Sequence, residues 1–273
     1  MEFEGEKAQT RATYNLAADH FDAAPLALWE HAGRRTVELL TLEPGNKVLD
    51  ICCGSGSTAL PAAREGGEFG TVLGVDLAEG LLELAARKAA VEGLRNVQFR
   101  QADFERMTFP ANSCEAVVCQ FGVFFLDDMA GAVRRMWTFV APGGCLAVTT
   151  WGARVLEPVS TYFRDRLRQT RPELLRDSPM VDRVSTPEGL RSLFGEAGVT
   201  ELDIVEEESL LPLEDPHDYW LSLLGSGSRR IVEALGAAEA AGVRDDVAAY
   251  VEREHLTQLH SDILYAVARK PAP

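Results

Sequence analysis

Apolar positions in the first half of the chain fall into short continuous runs bounded by turn residues, and these runs alternate with longer helical patterns. "NKVLDIC" (46–52) is a β-rich run following "EPGN", as expected of a strand buried on both faces. "STALPAAREGG" then reads as a helix, with Ser57 or Thr58 near its start and Pro61 early in it. The spacing predicts strands at 70–76, 96–103, 114–121 and 145–151. Between them lie helices at 77–93 and in "DMAGAVRRMWTFVAPGG", the latter stopped by Pro142 and two glycines. Such alternation points to a parallel sheet covered on both faces.

The second half reads differently. "STPEGLRSLFGEAG" (185–198) has a capping-box pattern, with Ser185 three residues before Glu188. A strand is expected at 201–213, polar helical sequence from 215 to 256, and a strand-like "DILYAVAR" at 262–269. The predicted fold is α/β: a Rossmann-like, doubly wound, mostly parallel seven-stranded sheet, with N-terminal helices and a helical lid inserted before the last strand. The expected divisions are an N-terminal helical cap (1–42), a ligand-binding core (43–152), the rest of the core with the sixth strand (153–214), the lid (215–256), and the last strand and tail (257–273). Gly225 and Gly227 are the expected flexible points of the lid.

Composition narrows the function. A net charge of −15 argues against nucleic acid, since phosphate binding needs clustered positive surface. The start, "MEFEGEKAQT", lacks the apolar core of a secretory signal, and the 116–126 run is too short to span a bilayer. A cytoplasmic protein without a stable membrane anchor is therefore expected; oligomeric state is not legible. The five cysteines include adjacent Cys52 and Cys53, but no spacing suits a metal or redox pair, so no metal site is expected.

The candidate chemistry sits in "VLDICCGSGSTAL" (48–60). Gly54, Ser55, Gly56 and Ala59 fit the dinucleotide pattern G-x-G-x-x-A, and Asp76 follows Gly56 by 20 residues, the distance at which an acidic side chain takes ribose hydroxyls. A nicotinamide-dependent oxidoreductase is thus one candidate, although no Tyr-x-x-x-Lys pair is present. Asp50, Asp76 and Asp103 fall at the ends of three successive predicted strands, which line the ligand crevice of such a sheet. A pyrophosphate beside Asp50 would meet like charge, at a cost of several kcal/mol in a poorly hydrated crevice. S-adenosylmethionine, with its sulfonium and ammonium, would instead be attracted.

"VLDICCGSG", Asp76, the "QAD" ending at Asp103 and the "APGG" before the fifth strand resemble the class I S-adenosylmethionine-dependent methyltransferases. The nearest resemblance is to the small-molecule branch that includes the ubiquinone/menaquinone-type C-methyltransferases, and it spans about residues 11 to 152. Cys52 departs from it, standing where the family often has the first glycine of its loop. The resemblance implies that Gly54, Ser55 and Gly56 approach the methionine and sugar portion, with Asp50 near the amino group through water. It implies Asp76 on the ribose hydroxyls, Leu77 over the adenine, and Asp103 with the Phe104 backbone at the adenine edge. Gln120 and Phe121 would sit near the reacting methyl, with Tyr14 and Phe21 closing over the cofactor.

In-line methyl transfer to a small, fairly apolar metabolite, such as a natural-product or quinone-like acceptor, is the activity expected, by C- or O-methylation. Catalytic candidates are His20, His217 and Tyr219, from the stretches expected over the crevice, together with Gln120. Tyr14, Phe21, Trp29, Phe124, Tyr162, Tyr219 and Trp220 are candidates to wall the acceptor pocket. The stretch 201–220 is acidic and holds no Lys or Arg, which disfavours an RNA acceptor. A protein of this fold that uses the lid pocket for cyclisation or ligand binding would carry the same cofactor residues.

Overall fold

The structure, a computed structural model, describes residues 5–175 and 178–272. In chain order the elements are α1 (Gly5–Ala17), α2 (Leu28–Leu40), β1 (Lys47–Ile51), α3 (Ala59–Gly66), β2 (Thr71–Asp76), α4 (Glu79–Val91), β3 (Val97–Gln101) and β4 (Cys114–Gln120). There follow α5 (Met129–Phe139), β5 (Val140–Trp151), α6 (Val159–Thr170), α7 (Pro179–Arg183), α8 (Pro187–Glu196), β6 (Asp203–Pro212), α9 (Asp218–Leu224), α10 (Arg229–Arg253) and β7 (Gln258–Arg269). One seven-stranded sheet runs in the order β3-β2-β1-β4-β5-β7-β6, and only β7 is antiparallel to its neighbours.

The two-residue period of the strands explains the layering. Val48, Ala116, Val118, Cys145 and Ala147 face Val37 and Leu40 of α2 and the alanines of α3. Leu49, Ile51, Val117, Cys119, Leu146 and Val148, one position out of phase, face Met129, Val133 and Met136 of α5 and Leu190, Leu193 and Phe194 of α8. Both faces are therefore buried, as the continuous apolar runs require. The order β2-β1-β4 places the switch point of the sheet between β1 and β4, where the glycine loop leaves β1.

Several boundaries differ from the sequence reading. Helix α5 ends at Phe139, and "APGG" lies within a longer β5 that reaches back to pair Val140 with Cys114 across a register shift. Strand β7 starts at Gln258 because Pro212 of β6 pairs with it. Helix α8 is capped by Thr186, whose side chain accepts from the Gly189 amide, whereas Ser185 donates to the Asp182 carbonyl.

The 215–256 stretch forms α9 and α10. The break in α10 falls at Gly236 (φ 72°, ψ 163°) rather than at the glycines expected to flex. Gly225 is instead a point of close approach, since a Cβ there would lie 2.3 Å from the His20 carbonyl oxygen. Apolar residues of both helices, among them Trp220, Leu223, Ile231 and Val247, bury into a second core with Val159 and Phe163 of α6. Among the described residues, no helix is long and apolar enough to cross a membrane.

Candidate functional site

At the C-terminal ends of β1, β2 and β4 lies an open cavity, about 720 Å³ when the solvent-filled space at its mouth is included. Its floor is the turn after β1, where Gly54 (φ 51°) and Gly56 (φ 85°) take left-handed conformations that favour glycine. Asp76 organises this turn: one carboxylate oxygen accepts from the Gly54 amide and the other from the Ala78 amide, each at 2.9 Å. Burial nevertheless outweighs these bonds and raises the Asp76 pKa.

Asp50 is 1% exposed and does not itself line the cavity. Neither of its carboxylate oxygens has a hydrogen-bonding partner in good geometry. Burial first, and then the charge of Asp76, push its pKa well above the ordinary carboxylate range, opposed only by the Ala59 amide. Arg11, the one cation lining the cavity among the described residues, is ion-paired with Glu79, whose pKa falls to about 2, chiefly through that hydrogen bond. The crevice is thus lined by the carboxylate of Asp76, with the buried Asp50 within electrostatic reach of it, an arrangement that suits a ligand bringing positive charge and opposes a pyrophosphate.

The other cofactor candidates divide. Gly54, Asp76, Leu77, Tyr14, Phe21, Gln120 and Phe121 all line the cavity. Gln120 is held by a 2.7 Å bond from Thr58 Oγ1, and its amide donates to the Trp29 carbonyl and Ser57 Oγ at 3.0 and 3.1 Å. Ser55 turns away and donates to Asp22 at 2.7 Å, so it ties the loop to the N-terminal segment. Gly56 faces Leu60, Ala85 and Phe99, not the cavity. Asp103, 4% exposed, is taken by Lys7 of α1 at 2.9 Å. Phe104 packs edge-on to Phe139 in the core.

A second and larger open cavity, about 1720 Å³ when the solvent-filled space at its mouth is included, adjoins the first. Tyr14, Trp29, Phe121 and Phe125 line both. At this junction Phe121 stacks on Trp151 (4.3 Å, 26°) and Trp29 stacks on Phe21 (5.7 Å, 12°). Tyr14, whose hydroxyl lies against Gly227, has its pKa raised mainly by burial.

Of the catalytic candidates, Tyr219 lines the second cavity and is 2% exposed, with burial raising its pKa. His217 lies outside both cavities, half-exposed, its Nδ1 2.9 Å from Asp215. His20 also lines neither, and sits 2.7 Å from Asp19. The turn "DPHDYW" directs Tyr219 inward and leaves His217, two residues earlier, facing solvent. Replacing His217 with Ala is therefore expected to leave turnover within about twofold of wild type in steady-state kinetics.

Among the expected wall residues, Trp29, Phe124 and Tyr219 face the second cavity, Tyr162 stacks on Tyr250 at 4.0 Å, and Trp220 is in the core. The sequence reading missed Trp151, Phe125 and Phe163. Trp151 carried a legible signal, because it ends a strand on the crevice side.

All five cysteines are free thiols, and no cluster of three His, Cys, Asp or Glu among the described residues could hold a metal. The Cys52 thiol is pushed well above its ordinary pKa, first by its contact with Cys119 and then by burial, and Cys53 by burial. Changing both to Ala is expected to leave cofactor affinity within a few-fold, with a modest loss of packing stability. A loss of affinity above about tenfold in a folded double variant would contradict this.

Residues 48–144 match the model of the methyltransferase domain family. Across 55% of its length the chain is 34% identical to the aklanonic acid methyltransferase DauC of Streptomyces sp. (strain C5), covering 68% of that protein. The chain belongs to the S-adenosylmethionine-dependent methyltransferases. It is also 32% identical to a demethylmenaquinone methyltransferase of Listeria monocytogenes, over 42% of this chain and only 48% of that relative. In fold, this methyltransferase resembles the crystal structure of YjhP from E. coli, with a TM-score of 0.58 at 20% identity over 94% of this chain and 99% of that one. Its cofactor is S-adenosylmethionine, and the carboxylates of Asp50 and Asp76 beside the glycine turn fit a cationic ligand of that kind.

Proposed function

We propose that this methyltransferase transfers the methyl group to a carbon or oxygen of a small, ring-containing, largely apolar metabolite. The observation that carries this reading is the second cavity: large, walled by aromatic side chains, and meeting the first at Tyr14, Trp29, Phe121 and Phe125. Aromatic walls favour planar ring acceptors by stacking and area burial. The names of the relatives, a demethylmenaquinone methyltransferase and an aklanonic acid methyltransferase, support a quinone-like or natural-product acceptor.

Bound S-adenosylmethionine supplies an electrophilic methyl on a good leaving group. The chain's own residues then bind the cofactor, position its methyl and exclude water. Asp76 and the Gly54 backbone hold the sugar, Asp50 supplies negative charge near the amino group, and Leu77 covers the adenine. Asp103 and the Phe104 backbone can serve the adenine edge only when Lys7 releases Asp103. Gln120 and Phe121 set the position of the methyl, and Tyr14 and Phe21 close the site against water. Alignment of the acceptor atom at about 3 Å from the methyl is the main contribution to rate. With both histidine candidates outside the cavities, Tyr219, which lines the second, is the candidate we favour to hydrogen-bond the acceptor. Replacing it with Phe should lower kcat/KM by about tenfold.

The test is incubation with methyl-labelled S-adenosylmethionine and a panel of phenolic, quinol and polyketide acceptors. Transfer of label to a ring acceptor supports the reading. Conversion of an acceptor without label transfer would favour a cyclase, and label transfer only to protein or nucleic acid would overturn it.

A further inference from the structure

Arg164 is a cation of the second cavity that no group among the described residues satisfies. It lines that cavity from α6, remains solvent-exposed, and makes no ion pair or hydrogen bond among the described residues. Its neighbours on the same helix behave differently: Arg166 pairs with Asp246 at 2.9 Å, and Arg168 pairs with Asp165. The contrast is notable in a chain with 42 acidic residues against 27 basic ones, where carboxylate partners are abundant.

The carboxylates of the cavity are Glu157 and Asp182, and neither is within ion-pairing distance of Arg164. Glu157 is engaged locally, accepting from Ser160 Oγ at 2.7 Å and Thr161 Oγ1 at 2.8 Å. Arg230, the other cation, reaches the Leu174 carbonyl at 3.5 Å. Burial first and the Glu157 charge second raise the Tyr219 pKa, and Arg164 acts in the opposite sense, so its guanidinium and the phenol, which line the same cavity, lie within electrostatic reach of each other.

We infer that Arg164, with the Tyr219 hydroxyl, forms a subsite for an anionic group, a carboxylate in particular, on a planar aromatic acceptor. The inference rests on the reading that the second cavity receives the acceptor. Arg164 and Tyr219 line only the second cavity, whereas Tyr14, Trp29, Phe121 and Phe125 line both. The anion is therefore an anchor on the far side of the acceptor, and the atom that takes the methyl belongs to the ring end at the junction. A guanidinium binds a carboxylate through two parallel N–H···O bonds, which fixes orientation as well as position. An exposed guanidinium gains little from a charge in water, but a ligand that covers it with apolar walls on the other side lowers the local dielectric. The chain's net charge of −15 repels anions over the rest of the surface, so an anionic acceptor needs a local cation of this kind.

The probes are 3-hydroxy-2-naphthoate and its neutral methyl ester, titrated calorimetrically at low salt into the protein loaded with S-adenosylhomocysteine. The acid should bind at least about tenfold more tightly than the ester. In Arg164→Met the acid should fall to the affinity of the ester while the ester is unchanged, which also shows that the cavity is intact. Arg164→Lys should retain part of the preference, and Arg166→Met all of it. Equal binding of acid and ester to the wild type, a preference that survives in Arg164→Met, or binding of neither probe would overturn the inference. An Arg164-dependent preference without label transfer to any ring acceptor would support the subsite and refute the methyl-acceptor reading.

Discussion

Replacing Asp50 with Asn is expected to raise the melting temperature of the ligand-free protein while weakening its affinity for S-adenosylmethionine by roughly 10- to 100-fold. Both effects follow from one buried carboxylate. The folded pKa of Asp50 is raised, by burial first and Asp76 second. The folded state therefore keeps the Asp50 proton at pH values where the unfolded chain has lost it. Its contribution to stability falls as pH rises from the ordinary carboxylate value, about 4, through the raised folded value. Asn removes that cost, so the gain in melting temperature should be larger at pH 8 than at pH 5. A cationic ligand reverses the preference by favouring the ionised form. Cofactor affinity in the wild type should consequently rise with pH over the same window, and in Asp50→Asn this rise should be reduced. Calorimetric titrations and thermal melts of both proteins across pH check the set. A variant that is destabilised at pH 8, or binds cofactor as tightly as wild type, would show that Asp50 serves the fold alone.

The second large effect is expected at Asp76. Changing it to Ala removes the acceptor for the Gly54 and Ala78 amides, each at 2.9 Å, and leaves two part-buried donors without that partner beside the glycine turn. It would also remove the carboxylate proposed to take the ribose hydroxyls. Together these should weaken cofactor binding by about 1–3 kcal/mol or more, close to 5- to 150-fold. Asp76→Asn, which keeps one acceptor oxygen, should lose less. Comparing S-adenosylhomocysteine with methionine separates the causes. If only the turn is disturbed, both ligands weaken alike; if the ribose contact is lost, only the nucleoside-bearing ligand suffers the full penalty.

How far the site could be read from sequence depends on how local each interaction is. The alternation of strand and helix specifies the five parallel strands because period and chain order are local properties. The glycine turn and Asp76 were legible because both belong to one β-α-β unit, in which the Asp76 carboxylate accepts from the Gly54 amide. Ser55 was not, because its side chain is set by Asp22, 33 residues away, and the loop pattern says nothing of that partner. Asp103 is a sharper case. Its place past the end of β3 was predictable, but its engagement by Lys7 depends on how α1 docks, across 96 residues.

His217 and Tyr219 show the limit of reading one short segment. Both lie in the same turn, and only the packing of α9 against α6, with Tyr219 5.9 Å from Phe163, determines which of them faces inward. The extents of β5 and β7 were misjudged because pairing partners, rather than intrinsic propensity, extend a strand at its ends. Gly225 was read as flexible from its residue type alone, whereas the His20 carbonyl pressed against it gives the reason for a glycine.

The central claim is that the methyl acceptor lies in the second cavity and meets the cofactor across the aromatic junction. The most direct measurement is a crystal structure of the protein with S-adenosylhomocysteine and whichever acceptor is labelled in the panel. The account predicts the cofactor product against Asp76 and Leu77, with the acceptor ring between Trp29, Phe121 and Trp151 and its nucleophilic atom facing the sulfur. An acceptor bound elsewhere, or a ring in the second cavity whose nucleophilic atom faces away from the sulfur, would contradict it.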